Sequence, residues 1–188
     1  MKYIVFNKKS CLPGDSAFLK ERERLLRVNH AGELAAKYIY KGQIAVLKND
    51  PISFSLYDML NEEKKHLDYF QMTLKKNYIR PSFLSPLWSV LGFALGVATA
   101  SFGKKTAMAC TIAVEETIDK HYYLQELFLK KEKKDLELLQ KIEQFRKEEQ
   151  EHCDIAINYG GKRIPFYFLL SKFIKFGSKI SIKLAKRI

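Results

Sequence analysis

Cysteine, proline and glycine are scarce in this 188-residue sequence, which contains three, five and nine of them respectively. Cys11, Cys110 and Cys153 are far apart and form no CxxC pair, so neither a disulfide framework nor a cysteine-based zinc site is indicated. We therefore expect a reducing compartment. The scarcity of glycine and proline excludes collagen-like and low-complexity chains. The first residues contain an apolar run of only four residues, which is shorter than the apolar region of a secretory signal.

Acidic residues are also fewer than basic ones, 21 against 33, which leaves a formal net charge of +12. Such an excess favours an anionic partner, and charge alone does not distinguish nucleic acid, an anionic membrane surface and a small anionic ligand. Hydrophobic residues make up 47% of the sequence, so the chain is not of the disordered class and can bury a substantial core. We predict a single domain over residues 1–188.

No stretch of useful length alternates between apolar and polar residues, which argues against β-structure. Apolar residues instead recur at every third or fourth position, and Pro81 and Gly160 stand where helices would end. Asp50 and Pro51 are typical of a helix N-cap and the first helical position. Two helical hairpins of this kind predict an all-α four-helix bundle. The predicted helices cover about 16–48, 50–77, 104–130 and 134–159.

Two further segments do not fit a plain bundle. Residues 81–103 carry no charge, but Pro86 leaves a helical part of only about 17 residues, which is marginal for crossing a bilayer. Residues 161–188 contain eight Lys or Arg and no acid, and on a helix the lysines share one face while apolar side chains occupy another. We predict that 81–103 and 164–188 are membrane-docking segments, forming additional helices at the interface of an anionic membrane.

The pattern EExxH occurs twice, at 62–66 and 148–152, each time on a predicted helix. A Glu and a His three residues apart lie on the same helix face, close enough to hold one metal ion. In both motifs the second Glu and the His fall within the apolar stripe of the helix, so they are predicted to point inward. These inward-facing residues are Glu63, His66, Glu149 and His152.

The other two bundle helices each place one carboxylate within an apolar stripe, at Glu33 and Glu115. A buried carboxylate without a partner is very costly, so four converging carboxylates require cations. At about 1.5 Å per residue from the turns, the ligands of each hairpin reach similar heights. One Glu from each of two helices and an ExxH from each of the other two is the di-iron or di-manganese site of ferritin-like bundles. The predicted metal ligands are Glu33, Glu63, His66, Glu115, Glu149 and His152.

The predicted ligands lie within or beside four motifs: RVNHAGE at 27–33, NEE at 61–63, AVEE at 113–116 and the second EExxH. With these motifs the sequence resembles the demethoxyubiquinone hydroxylase family of ubiquinone biosynthesis over nearly the whole chain. The resemblance implies a ferritin-like, membrane-associated monooxygenase with two Fe ions per chain. It also implies that a polyprenyl methoxy-benzoquinol (demethoxyubiquinol) is hydroxylated with O2 and two electrons from an external donor, NADH or a reduced quinol. By the same resemblance, Glu63 and Glu149 bridge the irons, and Glu33 and Glu115 are terminal ligands.

A substrate dissolved in the bilayer would explain the predicted docking segments. If residues 87–103 crossed the bilayer, the two hairpins would lie on opposite sides and the six ligands could not meet, so we expect a peripheral protein. The absence of a transit peptide and the Lys- and Ile-rich composition favour the cytoplasmic face of a bacterial inner membrane, and the matrix side of the mitochondrial inner membrane is the alternative. We expect a polyprenyl quinone and an anionic membrane surface as partners, together with other ubiquinone-biosynthesis proteins or a second copy of the chain. Nucleic acid is not expected.

Three residues near the ligands are predicted to hydrogen-bond around the metal site without binding the metal: His30, His121 and Tyr122. Two other functions remain open at this point. A ferritin-like ferroxidase or peroxidase would use the same metal site but would need no lipid surface. A non-enzymatic basic helical protein that binds a membrane or nucleic acid would account for the charge and would leave four inward-facing carboxylates unexplained.

Overall fold

A computed structural model describes residues 16–187, which form helices, turns and one short 3-10 segment, with no strand in that range. Residues 1–15, which include Cys11, and Ile188 lie outside the described part of the chain. The prediction of an all-α fold is confirmed. The helices are α1 (Ala17–Leu47), α2 (Ser53–Lys76), α3 (Ser85–Ser101), α4 (Lys104–Glu132), α5 (Leu136–Asn158) and α6 (Tyr167–Ala185), with the 3-10 segment Gly161–Arg163 before α6.

Helices α1, α2, α4 and α5 form the predicted four-helix bundle, built from two hairpins in which α1 packs on α2 and α4 packs on α5. The interior holds two separate apolar clusters. One includes Tyr40 and Met108, and the other includes Phe70 and Ile142. On each of the four helices the predicted ligands lie between these clusters. A polar layer is therefore enclosed by apolar layers on both sides, as expected for a ferritin-like bundle.

The ends of the helices follow from local capping, with one correction. The side chain of Asp135 accepts a hydrogen bond from the backbone N–H of Leu138 at 3.0 Å and caps α5. The prediction that Asp50 is the N-cap of α2 and Pro51 its first helical residue is wrong by two residues, because α2 begins at Ser53. Asp50 Oδ1 accepts from the N–H of Ile52 at 3.0 Å, and the Asp50 carbonyl accepts from the N–H of Ser53 at 2.9 Å. These bonds close a turn, and the helix begins only after it.

The charge-free segment forms α3, which runs parallel to α1 along the outside of the bundle. Two of its glycines allow the backbones to approach closely. Gly92 lies against the carbonyl oxygen of Ala35 and Gly96 against that of Ile39, where a Cβ atom would collide with the α1 backbone. The two contacts are four residues apart on α3 and four residues apart on α1, so together they fix the register of α3 on α1.

Helix α6 covers the same side of the bundle and packs on α4 and α1. Ile174 lies in a cluster with Ile39 and Val114, and Ala185 lies in a cluster with Val28 and Trp88. Helices α3 and α6, called the outer layer below, thus cover the seam between α1 and α4. Within residues 16–187, no helix combines the length and the apolar character that crossing a membrane requires.

Candidate metal centre

The six predicted ligands converge in the middle of the bundle. Each of the four bundle helices supplies a carboxylate, and α2 and α5 each add the histidine one turn further on. All six side chains are at most 1% exposed, which is unusual for charged groups that lack a cation. The residues brought together are Glu33, Glu63, His66, Glu115, Glu149 and His152.

These side chains form two ligand groups that overlap. Within each group one ligand atom from every member lies within 4.8 Å of the others. The first group contains Glu33 and His66, the second contains Glu115 and His152, and both contain Glu63 and Glu149. Two adjacent cations sharing the last two carboxylates would fit this arrangement, and it has the layout that the family resemblance implies.

The buried polar atoms at the centre are consistent with metal binding. Nδ1 of His66 lies 3.2 Å from an oxygen of Glu149 and 3.4 Å from one of Glu33. Nδ1 of His152 lies 3.4 Å from an oxygen of Glu63 and from one of Glu149. Neither of the two Nδ1 atoms has a hydrogen-bond partner. Both side-chain oxygens of Glu63 and both of Glu149 also lack one. Buried polar atoms are normally paired, so this set fits cations that would bind them all.

The opposite nitrogen of each histidine is hydrogen-bonded to a carboxylate on the other hairpin. His66 Nε2 lies 2.6 Å from Glu148 Oε2, and His152 Nε2 lies 2.7 Å from Glu62 Oε2. A proton on Nε2 leaves Nδ1 as the atom that can bind a metal. Sequence reasoning missed Glu62 and Glu148 as functional residues. The signal was present in the doubled Glu of each EExxH motif.

Two buried tyrosines hold the remaining carboxylates. Tyr40 donates a hydrogen bond to Glu115 Oε1 at 2.6 Å, and Tyr122 donates one to Glu33 Oε1. Burial raises the pKa of each tyrosine well above its ordinary value, and the partner carboxylate, Glu115 or Glu33, raises it further. Both tyrosines therefore stay protonated as donors. Tyr122 was among the residues predicted to hydrogen-bond near the ligands, whereas Tyr40 was not, although it too lies seven residues after a predicted ligand.

The electrostatics of the cluster depend on how its negative charge is neutralised. Burial raises the pKa of Glu63 and Glu115 well above their ordinary values, and the charge of Glu149 adds to both shifts. Burial also opposes the charged forms of His66 and His152, but the surrounding carboxylates overcome it and raise the pKa of each to about 12. The two imidazoles likewise overcome the burial of Glu149 and lower its pKa to about 2. Protons on the two imidazoles thus offset part of the negative charge of the cluster in the metal-free protein.

The other two predicted hydrogen-bonding residues are not joined to the ligands. Within residues 16–187, His30 and His121 form no hydrogen bond to any of the six. His30 Nδ1 and His121 Nε2 are buried without a hydrogen-bond partner. Burial lowers the pKa of both imidazoles, to about 4 for His121, with a smaller effect of Lys37 on His30 and of Lys186 on His121. Both are neutral near pH 7.

A cavity of about 400 Å³ lies between the bundle and the outer layer. Gly32 and Val114 line it, and each is the neighbour in sequence of a predicted ligand, Glu33 or Glu115. The cavity therefore lies against the faces of α1 and α4 that are turned toward α3 and α6, at the height of Glu33 and Glu115 along these helices. Sequence analysis did not predict it, because four separate helices form its walls. Its other lining residues include Ala36, Ile39, Trp88, Leu95, Ile118 and Ile174.

Residues 20–185 match the family model described as "Ubiquinone biosynthesis protein COQ7". The chain belongs to the COQ7 family. It is 45% identical over 168 residues to the "NADPH-dependent 3-demethoxyubiquinone 3-hydroxylase, mitochondrial" of Homo sapiens, which covers 88% of this chain and 77% of the relative. It is 42% identical over 178 residues to the "3-demethoxyubiquinol 3-hydroxylase" of Rhodospirillum rubrum, covering 94% and 83%. All six predicted ligands lie within the range that the COQ7 family model matches.

Proposed function

We propose that this chain is a di-iron monooxygenase that hydroxylates demethoxyubiquinol with O2. Membership of the COQ7 family makes it a hydroxylase of ubiquinone biosynthesis. The observation that best supports a dinuclear centre is the pair of buried ligand groups that share Glu63 and Glu149. Carboxylates and neutral imidazoles are donors that suit iron, and iron held by them supplies the capacity to activate O2.

The chain's own residues have three tasks around that centre. The hydrogen bonds at Nε2 hold the histidines so that Nδ1 of each would be the atom that binds iron. Tyr40 and Tyr122 keep Glu115 and Glu33 in place. The apolar clusters on both sides exclude water from the layer between them. The proposed ligands are Glu33 and His66 for one iron, Glu115 and His152 for the other, and Glu63 and Glu149 for both.

The cavity beside the centre is the proposed binding site for the quinol ring. Its walls are mainly apolar, and small residues such as Gly32 and Ala36 line it on the α1 side. A benzoquinol ring with a polyprenyl tail needs this kind of surface, and a ferroxidase does not. The cavity thus favours the hydroxylase over the iron-storing or iron-oxidising alternatives.

We further propose that the outer layer, whose helices lie within the predicted docking segments 81–103 and 164–188, docks on an anionic membrane. Apolar side chains of both helices are exposed, including Val90 at 65% and Phe173 at 73%. A row of lysines, including Lys172 and Lys179, lies along a second exposed face of α6, and the neighbouring Lys175 is paired with Glu116. Apolar residues beside lysines suit a helix that lies in the interface of a bilayer. The substrate cavity lies directly beneath this surface.

The names of the relatives bear on location and on the electron donor. The relatives from Homo sapiens and Saccharomyces cerevisiae are named mitochondrial, and the yeast protein is 36% identical over 191 residues, covering 92% of this chain and 79% of its own. These names favour the mitochondrial alternative over the bacterial inner membrane. The human relative is named NADPH-dependent. We propose a reduced nicotinamide nucleotide as the source of the two electrons.

The function is tested directly by product analysis. The purified protein is loaded with Fe²⁺ without oxygen, given a short-tailed demethoxyubiquinol and exposed to O2. We expect a product heavier by about one oxygen atom, detected by mass spectrometry, and about two irons per chain. Glu63→Ala and Glu149→Ala should lose both iron and product. Full iron loading with oxidation of Fe²⁺ but no heavier product would contradict the hydroxylase and favour a ferroxidase.

A further inference from the structure

We propose that Glu62 and Glu148 are positioning residues that act across the bundle. Each one orients the histidine of the opposite EExxH motif. Each metal position would then depend on a carboxylate from the hairpin that does not supply its histidine. This inference rests on the proposed metal site and adds two residues to it that bind neither metal nor substrate.

The hydrogen bonds on which the proposal rests are well formed and run between helices. Glu148, on α5, is 2.6 Å from His66 Nε2 on α2, and Glu62, on α2, is 2.7 Å from His152 Nε2 on α5. The histidine side chains are 1% exposed, whereas the side chains of Glu62 and Glu148 are 40% and 28% exposed. Each carboxylate thus reaches from the surface to the buried ring of a residue on the facing helix.

A local reading of the motif leads to a different pairing. Glu62 precedes His66 by four residues on one helix, and side chains at that spacing are neighbours. The same spacing relates Glu148 to His152. In the structure both carboxylates instead hydrogen-bond to the other helix. The two readings make opposite predictions about which metal position each glutamate supports.

The tyrosines follow the same cross-hairpin arrangement. Tyr40, on the first hairpin, holds Glu115 of the second, and Tyr122, on the second, holds Glu33 of the first. The terminal ligands of each proposed iron therefore come from one hairpin and their hydrogen-bonding partners from the other. A ligand histidine whose second nitrogen loses its partner can rotate, and loss of such a partner costs about 10- to 100-fold in metal affinity.

Cobalt titrations in two single-site backgrounds test the proposal. His66→Ala leaves only the position of Glu115 and His152, and His152→Ala leaves only that of Glu33 and His66. In the His66→Ala background we expect Glu62→Ala to weaken Co²⁺ binding about 10- to 100-fold and to alter its visible absorption, whereas Glu148→Ala should change neither. In the His152→Ala background the two effects should be exchanged.

Further variants separate positioning from a general loss of structure. Glu62→Gln keeps an oxygen that accepts a hydrogen bond, so it should restore most of the affinity that Glu62→Ala loses. If Glu62→Ala does not fold, Glu62→Asp serves instead, because its shorter side chain withdraws the carboxylate from Nε2. Asp68→Asn on α2 and Glu151→Gln on α5 are matched controls on exposed positions of the same helices and should bind Co²⁺ like the wild type.

The outcomes distinguish this proposal from the proposed function. The cross-hairpin role is overturned if Glu62→Ala weakens binding in the His152→Ala background, or if it changes binding in neither background. In both of those cases two Co²⁺ ions in the wild-type protein would leave the metal centre intact. A wild-type protein that binds no Co²⁺ or Fe²⁺ would overturn the metal centre and this proposal together.

Discussion

The side-chain amides of Asn29 and Gln125 form two hydrogen bonds to each other in the buried contact between α1 and α4. Asn29 Nδ2 donates to Gln125 Oε1 at 2.9 Å, and Gln125 Nε2 donates to Asn29 Oδ1 at 2.6 Å. Both residues are almost fully buried, and Asn29 lies one turn before Glu33. Each amide therefore satisfies the other in a place where an unpaired polar group would be costly.

Removing one amide of this pair should destabilise the protein. Gln125→Leu keeps most of the volume and leaves the amide of Asn29 unpaired, so we expect the free energy of unfolding to fall by about 1–3 kcal/mol. The double variant with Asn29→Leu should lose less than the sum of the two single variants, since no buried amide then lacks a partner. Urea unfolding of the four proteins measures both quantities. Strictly additive losses would show that the two amides do not act as a pair.

The close packing of α3 on α1 predicts opposite effects of alanine at two glycines. A Cβ at Gly96 would collide with the carbonyl of Ile39, so Gly96→Ala should cost about 1–3 kcal/mol through displacement of α3. Gly177 lies within α6, and a Cβ there meets nothing within 4 Å. Gly177→Ala should stabilise the protein by about 0.4–1 kcal/mol. Thermal unfolding measures both, and an equal response at the two positions would contradict the described packing.

The cavity next to Glu33 predicts a substrate-specific defect. A Cβ at Gly32 meets nothing within 4 Å, and Gly32 lines the cavity, so the side chain of Gly32→Leu would fill part of it. We expect KM for a short-tailed demethoxyubiquinol to rise about 10-fold or more, which corresponds to about 1.4 kcal/mol of lost binding. Gly32→Ala should have a smaller effect. Iron content, measured by elemental analysis, should be unchanged in both, and an unchanged KM in Gly32→Leu would place the quinol elsewhere.

The protonation of the cluster predicts that metal binding strengthens as pH rises. In the metal-free protein the pKa of His66 and His152 is raised to about 12, so both imidazoles hold protons near neutral pH, and burial raises the pKa of Glu63 and Glu115 in the same direction. Metal must displace those protons. Isothermal titration with Mn²⁺ should therefore show tighter binding and proton release between about pH 6 and pH 8. Binding that weakens over this interval would contradict protonation of the cluster.

The stability of the metal-free protein should fall as pH rises, whereas metal binding becomes stronger. A raised pKa stabilises the folded state below the unfolded pKa, and this contribution is lost as pH rises toward the folded value. For His66 and His152 the loss begins near pH 6.5 and extends toward pH 12, and for Glu63 and Glu115 it begins near pH 4.5. Glu149, with its pKa lowered to about 2, loses its contribution only as pH falls below about 4.5. Thermal unfolding in a chelator should thus show declining stability from about pH 6 to pH 9.

The lysine row on α6 predicts salt-sensitive membrane binding. Charge reversal of Lys172 and Lys179 should weaken binding to vesicles of phosphatidylserine and phosphatidylcholine at least 10-fold, since each lysine near an anionic surface contributes about 1 kcal/mol. Lys64→Glu with Lys147→Glu is the matched control, because these exposed lysines lie on α2 and α5. Co-sedimentation measures the binding. An equal loss in both double variants would mean that net charge, and not the outer layer, determines binding.

The sequence allowed the bundle and the six proposed ligands to be predicted because both depend on spacing along a helix. Residues such as Glu63 and His66 stood out as polar groups inside an apolar stripe. Glu62 and Glu148 did not, because their partners lie on another helix, and periodicity along one helix does not report contacts between two. The start of α2 was misjudged for a similar reason. Asp50 is a good capping residue by type, but its backbone and side chain close a turn that only the three-dimensional path reveals.

The two hairpins contribute matching parts to the centre, down to a tyrosine seven residues after Glu33 and another seven residues after Glu115. A centre built from two equivalent halves has no preferred side of its own. The difference between its sides comes from α3 and α6, which cover α1 and α4 and leave α2 and α5 uncovered. The side from which a substrate approaches the centre is therefore set by α3 and α6. Exchanging these two helices would direct the same dinuclear site toward a different substrate without altering a single ligand.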